Sequence, residues 1–201
     1  MCAGVTAYKA LKDSGAPPGS WVAISGAGGG VGALGVQYAR AMGYRVLAVD
    51  AGEEKRKLCM RLGAEAYVDV GTYESGQEVA DAAKRETDGD GVEAAIVTAG
   101  SAQAYQDAFG MLAPYGTLVC VGIPPPSGRA VQFHPLMFID RGIRVIGSMV
   151  GSKGDIYEAV RFVQRGLVKP EVTVVGMEEL GEVMKLLAEG KATTKYVIKL
   201  D

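Results

Sequence analysis

Eight residues, Ser25-Gly26-Ala27-Gly28-Gly29-Gly30-Val31-Gly32, carry more chemistry than any other stretch of this chain. Glycines in such density let backbone N–H groups approach a bulky anion with no Cβ in the way, and a helix starting just beyond them would add its positive end. The anion that suits this arrangement is the pyrophosphate of a dinucleotide. Two spacings fit. Gly26, Gly29 and Gly32 make one; Gly28, Gly30 and Ala33 make the other. We favour the first, with Gly29-Gly30-Val31-Gly32 as the phosphate turn. Asp50 stands 18 residues beyond Gly32, close to the ~20 expected of an acid that accepts hydrogen bonds from a ribose. Its charge would repel a 2′-phosphate, which favours NAD over NADP. Lys55 and Arg56 are also within reach of the ribose or a phosphate. The plainer reading makes Asp50 a cap before a solvated helix.

These residues need a scaffold, and the flanking pattern supplies one. Trp21 to Ser25 is a short apolar run, as expected of a strand buried on both faces. A helix is expected from about Gly30 to Met42, with Gly43 ending it. Strand and helix signals then alternate: strand Arg45–Val49, helix Glu53–Leu62, strand Ala66–Val70, helix Glu74–Thr87, strand Ala94–Thr98, helix Ala102–Leu112, strand Thr117–Val121 and strand Arg144–Ser148. Repeated strand–helix–strand units imply right-handed crossovers. The expected fold is therefore α/β, a six-stranded doubly wound parallel sheet in the order 3-2-1-4-5-6. Residues 1–148, with a leading helix, would form this Rossmann domain. Residues 149–201 would form a small α/β appendix: helix Asp155–Arg165, strand Glu171–Val175, helix Leu180–Glu189 and strand Tyr196–Leu200. The appendix is too small for a core of its own.

Ligands of such sheets bind outside the carboxyl ends of the strands. That marks Thr98 and Ala99 with Gly100, Val121, Gly122 and Ile123, and Ser148 and Met149 with Val150. Gly100 and Gly122 would equally serve simply to end strands.

Composition excludes several classes. With 48% hydrophobic and 22% charged residues, the chain is a globular protein. A formal charge of −2 offers no basic field for nucleic acid or anionic membrane. No apolar run approaches the ~20 residues of a membrane span, and the N-terminus does not read as a secretory signal. Cys2, Cys59 and Cys120 are an odd set without a pairing motif, as expected of reduced thiols in the cytoplasm. Cys59 and Cys120 read as packing residues, and the single histidine, His134, as a surface or helix-start residue.

The chain resembles the C-terminal part of the zinc-dependent medium-chain alcohol dehydrogenases of the microbial, NAD-dependent type. The resemblance rests on residues 2–11 (CAGVTAYKAL), 25–32, 44–50 (YRVLAVD), 97–101 (VTAGS), 121–124 (VGIP) and 145–148 (VIGS), and extends over essentially all 201 residues. It implies a Rossmann domain that binds NAD beside a GroES-like catalytic domain, which the other half of such enzymes supplies. It places Thr6 near the nicotinamide, Asp50 and Lys55 at the adenosine ribose, and the backbone of Val121 and Ile123 at the carboxamide. Lys195 would face the pyrophosphate, and Cys2 would be one ligand of a catalytic zinc. The remaining ligands and the proton relay belong to the other half, so no catalytic residue is assigned here and zinc is expected only in a full-length parent. Met1 then reads as an internal methionine of a longer enzyme. The implied substrate is an alcohol or aldehyde, and the implied assembly a homo-oligomer joined through the edge of the sheet. A zinc-free, NADPH-dependent quinone or enoyl reductase is the alternative; Cys2 and Asp50 count against it.

Overall fold

The computed structural model describes residues 2–126, 128, 130–192 and 195–200; Met1 lies outside them. After a helix, α1 (Cys2–Ser14), the chain enters β1 (Trp21–Ser25) at the middle of a sheet. It winds outward through α2 (Gly32–Ala41), β2 (Arg45–Asp50), α3 (Glu53–Leu62) and β3 (Ala66–Asp69). It then returns by α4 (Gly76–Glu86) to β4 (Val92–Val97), on the other side of β1. α5 (Ala102–Met111), β5 (Leu112–Cys120), α6 (Pro135–Arg141) and β6 (Arg144–Gly147) complete a six-stranded sheet in the order β3-β2-β1-β4-β5-β6. All neighbouring pairs are parallel. This is the Rossmann order expected from the sequence. The winding reverses between β1 and β4, which opens a crevice at their carboxyl ends.

All five residues of β1 are buried because helices cover both faces. Side chains alternate between faces along a strand. Val22 and Ile24 pack with Leu11, Val36, Val46 and Ile96 under α1, α2 and α3. Ala23 packs with Leu47, Val97, Phe109 and Leu118 under α4 and α5. α7 (Lys153–Gln164) joins the first layer: Phe162, Tyr8 and Tyr38 form an aromatic trio with centroids 5.8 Å apart. β7 (Val172–Val175), α8 (Leu180–Ala188) and β8 (Lys195–Ile198) follow, with β7 and β8 paired as a separate parallel ribbon.

Several boundaries move for identifiable reasons. α2 starts at Gly32 rather than Gly30, because residues 26–31 form a turn. β3 stops at Asp69, whose carboxylate accepts the Gly71 N–H and opens a 3₁₀ turn at Val70. α4 starts after Ser75, whose hydroxyl accepts the Glu78 N–H. β4 begins two residues early, at Val92, and ends before Thr98. β5 begins at Leu112, five residues before the expected start. Its pairing with β4 shifts between Val92 and Ala94, and Tyr115 takes φ +64°. Such an irregularity accommodates Pro114, which has no N–H to give to a regular ladder. α6 was not anticipated as an element, but His134 does open it: the imidazole accepts the Leu136 N–H at 3.2 Å, and Pro135 fills the first helical position.

Candidate functional site

The glycine turn is shaped by contacts that admit no side chain at two positions. Gly26 lies at φ +79°, and a Cβ there would fall 2.9 Å from the Ala99 nitrogen. A Cβ on Gly32 would fall 2.0 Å from the Gly26 carbonyl oxygen. The backbone thus demands glycine at 26 and 32, while a Cβ on Gly29 would fall 3.3 Å from Gly26 O and Ala33 of the other spacing keeps its methyl in the core. Gly26 donates its N–H to Val49 O at 2.9 Å, and Gly29 donates to Gly26 O at 3.1 Å. Among the described residues none accepts from the Gly30 or Val31 amide. Those two donors sit just ahead of α2, where an anion would satisfy them.

Asp50 ends β2 and points back across this turn. One carboxylate oxygen accepts the Gly28 N–H at 2.9 Å. The other accepts the Ala51 N–H at 2.8 Å and the Lys55 ammonium at 2.7 Å. The Lys55 stem lies over Gly28, where a Cβ would fall 2.7 Å from its Cγ. The carboxylate is therefore fixed next to the anion-binding turn, with a cation beside it.

The ends of β4 and β5 close in from the other side. The Thr98 hydroxyl donates to Ser25 O at 2.8 Å and ties β4 to the start of the turn. A Cβ on Gly122 would fall 2.2 Å from Ala99 O, so the loops after β4 and β5 touch backbone to backbone. The Tyr105 hydroxyl donates to Gly122 O, and burial pushes that phenol up to about 12. Val121 follows, half-buried, and Ile123 beyond it is 85% exposed. Ser148 is buried, its N–H donating to Cys120 O at 3.0 Å, whereas Met149 projects into solvent.

The structure thus gathers Gly26, Gly28, Gly29, Gly32, Asp50, Lys55, Thr98, Ala99 and Gly122 at one rim. Lys195, at the start of β8, lines a groove together with Gly30, Ala33 and Leu34, next to the glycine turn. Thr6 and Cys2 lie on α1, apart from this group. The Thr6 hydroxyl is spent on Cys2 O at 2.8 Å. α1 instead meets the segment after β6, where a Cβ on Gly151 would fall 2.6 Å from Val5. Cys59 is fully buried on α3, and burial pushes its thiol up to about 12.

Sequence reasoning missed one part of the rim. A cleft of about 220 Å³ opens beside Gly26 and Asp50, lined also by Val70, Ala99, Ser101, Gln103, Ala104 and Asp107. Their place, directly after β3 and in the first turns after β4, was the available signal. A larger groove of about 590 Å³ runs along α2 and α3 to residues 166–171. It does not lie where the strand ends converge.

Comparison with known proteins agrees with this geometry. Residues 30–165 match the model of a family described as zinc-binding dehydrogenase. The chain belongs to that family. It is 43% identical over 198 residues to alcohol dehydrogenase 1 of Neurospora crassa, covering 98% of this chain and 55% of that protein. It is 40% identical over 201 residues to an alcohol dehydrogenase of Geobacillus stearothermophilus, covering 100% and 57%. The crystal structure of the alcohol dehydrogenase from Aeropyrum pernix superposes with a TM-score of 0.86 at 31% identity, over 98% of this chain and 56% of the other. The chain spans about half the length of these relatives.

The glycine turn, with its free amides and adjoining acid, fits a nicotinamide dinucleotide. A catalytic zinc fits less well. Among the described residues no group of three or more His, Cys, Asp or Glu side chains is placed to hold a metal, and such a site needs three protein ligands. Nor, among them, is any helix long and apolar enough to cross a membrane.

Proposed function

We propose that this chain is the NAD(H)-binding part of an alcohol dehydrogenase that moves a hydride between a primary or secondary alcohol and NAD. The observation that carries this reading is the Asp50 carboxylate, held by the Gly28 N–H at 2.9 Å directly beside the anion-binding turn. In this reading Gly30 and Val31 donate to the pyrophosphate, with Lys195 facing it. Gly26, Gly29 and Gly32 keep that turn open. Asp50 accepts from the adenosine ribose hydroxyls, and Lys55 orients the carboxylate. Thr98, Ala99, Val121, Gly122, Ile123, Ser148, Met149 and Thr6 frame the path toward the nicotinamide end. A nicotinamide bound there supplies hydride transfer; the chain's own residues bind and orient it. Residues 1–148 act as the nucleotide-binding domain, and 149–201 as a segment that packs on a catalytic domain. Cys2 stands where the family resemblance puts one zinc ligand, and no step of this reading passes through a metal. The relatives' names, all alcohol dehydrogenases, support the alcohol/aldehyde substrate class.

Fluorescence titration with NADH and NADPH tests it. The chain is expected to bind NADH more tightly. Asp50→Ala should weaken NADH binding roughly ten- to a hundredfold, as loss of hydrogen bonds to a charged group does, and relax the preference. NADPH binding equal to or tighter than NADH would overturn the reading and favour a zinc-free, NADPH-dependent quinone or enoyl reductase.

A further inference from the structure

The groove of about 590 Å³ lies at the far end of α2 from the glycine turn. Its walls include Gln37 and Arg40 of α2, Arg61 of α3, and Lys169 and Glu171 of the segment after α7. Arg40 stands just over two helical turns beyond Gly32, about 12 Å along the axis. The chain as a whole carries a charge of −2, yet the charged residues lining this groove are three cations and one acid. The acid is spent, because Arg61 donates to both Glu171 oxygens, one of them at 3.1 Å. Among the described residues neither Arg40 nor Lys169 has an acidic partner. Both are held in place by their surroundings. The Arg40 guanidinium lies over Gly63, where a Cβ would fall 2.8 Å from its Nη1. Gln37, only 8% exposed, accepts the Lys169 backbone N–H at 2.8 Å and ties that residue to α2. The carbonyl ends of α2, α3 and α7 also come to this groove, and such ends attract cations. Their carbonyls at Arg40, Met60 and Val163 already accept from the backbone of Gly43, Gly63 and Gly166. Two unneutralised cations lining one hollow repel each other and draw an anion.

We propose that this groove binds a small phosphorylated organic molecule by its phosphate, at a site separate from the dinucleotide turn. The planar fork of Arg40 donates to two phosphate oxygens. Lys169 adds a point charge from the segment after α7. Two free cations match the two charges of a phosphate monoester; a monocarboxylate would leave one of them unpaired. The volume lies in the range of sites for small organic ligands, roughly 300–1,000 Å³, so room remains for the body that carries the phosphate. That body would rest on Ala41, Leu62 and Leu167. Nothing in this inference depends on the dinucleotide reading above.

The test titrates the full chain calorimetrically with glucose 6-phosphate, inorganic phosphate and glucose. Glucose 6-phosphate is expected to bind with a Kd of about 1 mM or below, and glucose not at all. Arg40→Gln and Lys169→Gln should each weaken binding about tenfold, the value of one charge-assisted hydrogen bond. Arg85→Gln removes the same charge from an exposed position on α4, in the other helix layer, and should change nothing. Equal affinity for inorganic phosphate would keep the anion site and overturn the organic body. If the cations served only the helix ends, Arg40→Gln and Lys169→Gln would lower the melting temperature and leave phosphate binding unchanged, which overturns the inference. A loss shared equally by Arg85→Gln overturns it as well, since it marks general attraction. Displacement of the ester by NADH would place the phosphate on the glycine turn instead and overturn the separate site. Absence of binding at about 10 mM overturns the whole inference and leaves the NAD reading intact. Arg40 and Lys169 are both exposed; if one variant does not fold, the other decides.

Discussion

At position 32 a single methyl group decides whether the phosphate turn can close. The hydrogen of Gly32 faces the Gly26 carbonyl, and a Cβ would fall 2.0 Å from that oxygen. This contact lies inside the backbone, so no side-chain rotation can relieve it. Gly32→Ala should therefore cost about 3 kcal/mol or more of stability and abolish NADH binding. Gly181, within α8, is the matched control. A Cβ there meets nothing within 4 Å, and Ala is preferred to Gly in a helix by up to about 1 kcal/mol. Gly181→Ala should leave stability the same or slightly higher and NADH binding unchanged. Thermal melting and cofactor titration of the two variants check both expectations; a stable Gly32→Ala protein that binds NADH would refute the close-contact argument. The glycine run and Asp50 were legible in the sequence because strand, glycines and acid recur at fixed offsets. The choice between two glycine spacings was not, since both satisfy the pattern and only interatomic distances separate them. Asp107 was hidden for another reason. Its burial depends on α4 meeting α5, and nothing in the local sequence of either helix announces that contact.

Elements were readable where one strong signal governed them. β1, β2 and β4 contain the apolar runs Trp21–Ile24, Val46–Val49 and Ala94–Val97, and α3 and α4 carry acids near their starts and glycine or a turn beyond their ends. The first half of β5 was obscured by Ala113-Pro114-Tyr115-Gly116, which has the composition of a turn but is carried as an irregular stretch of strand. α6 is only seven residues long, too short for periodicity to register. α7 was visible, but its anchoring was not. Ser152 caps it, its hydroxyl accepting the Asp155 N–H at 3.3 Å while Asp155 accepts the Ser152 N–H at 2.8 Å. Lys12 of α1 reaches the same carboxylate at 3.1 Å. These bonds, led by the Ser152 hydroxyl, hold the Asp155 carboxyl down to about 2. Ser152→Ala should lower stability by about 1 kcal/mol, the usual value of a helix cap. The pH dependence follows from a folded pKa below the unfolded value of about 3.9. The stabilisation is fully present above that unfolded value and disappears as pH falls through about 2. Melting curves of the unmutated chain and Asp155→Asn should differ at pH 7 and converge near pH 2. A gap that persists at pH 2 would show that the bonds around Asp155 do not act through its charge.

For the molecule as a whole, the open question is what covers the β6 edge of the sheet. Among the described residues β6 pairs only with β5, so its outer N–H and C=O groups are unpartnered by the described sheet. Edges left open to water are commonly guarded by charged side chains. β6 has one charge, Arg144, an exposed residue whose guanidinium is tied down by donating to the Thr117 hydroxyl at 2.8 Å and to Ser14 O at 3.4 Å. What remains along the edge is apolar. Val145 is 40% exposed, and on neighbouring α6 Leu136 is 60% and Ile139 79% exposed. An unguarded edge flanked by exposed aliphatic side chains favours pairing with a second copy of itself about a two-fold axis, which would continue the sheet across both subunits. A second apolar surface competes for this role. Val174 of β7 and Met184 and Leu187 of α8 are each more than half exposed. The two modes separate by mutation. Sedimentation and light scattering at micromolar concentrations should find a dimer for the unmutated chain. Val145→Lys places a charge on the edge and should yield a monomer with the same melting temperature and the same affinity for NADH. A dimer that survives Val145→Lys but dissociates on Val174→Lys would assign assembly to the ribbon instead. A monomeric unmutated chain would mean that the β6 edge is stable against water without a partner.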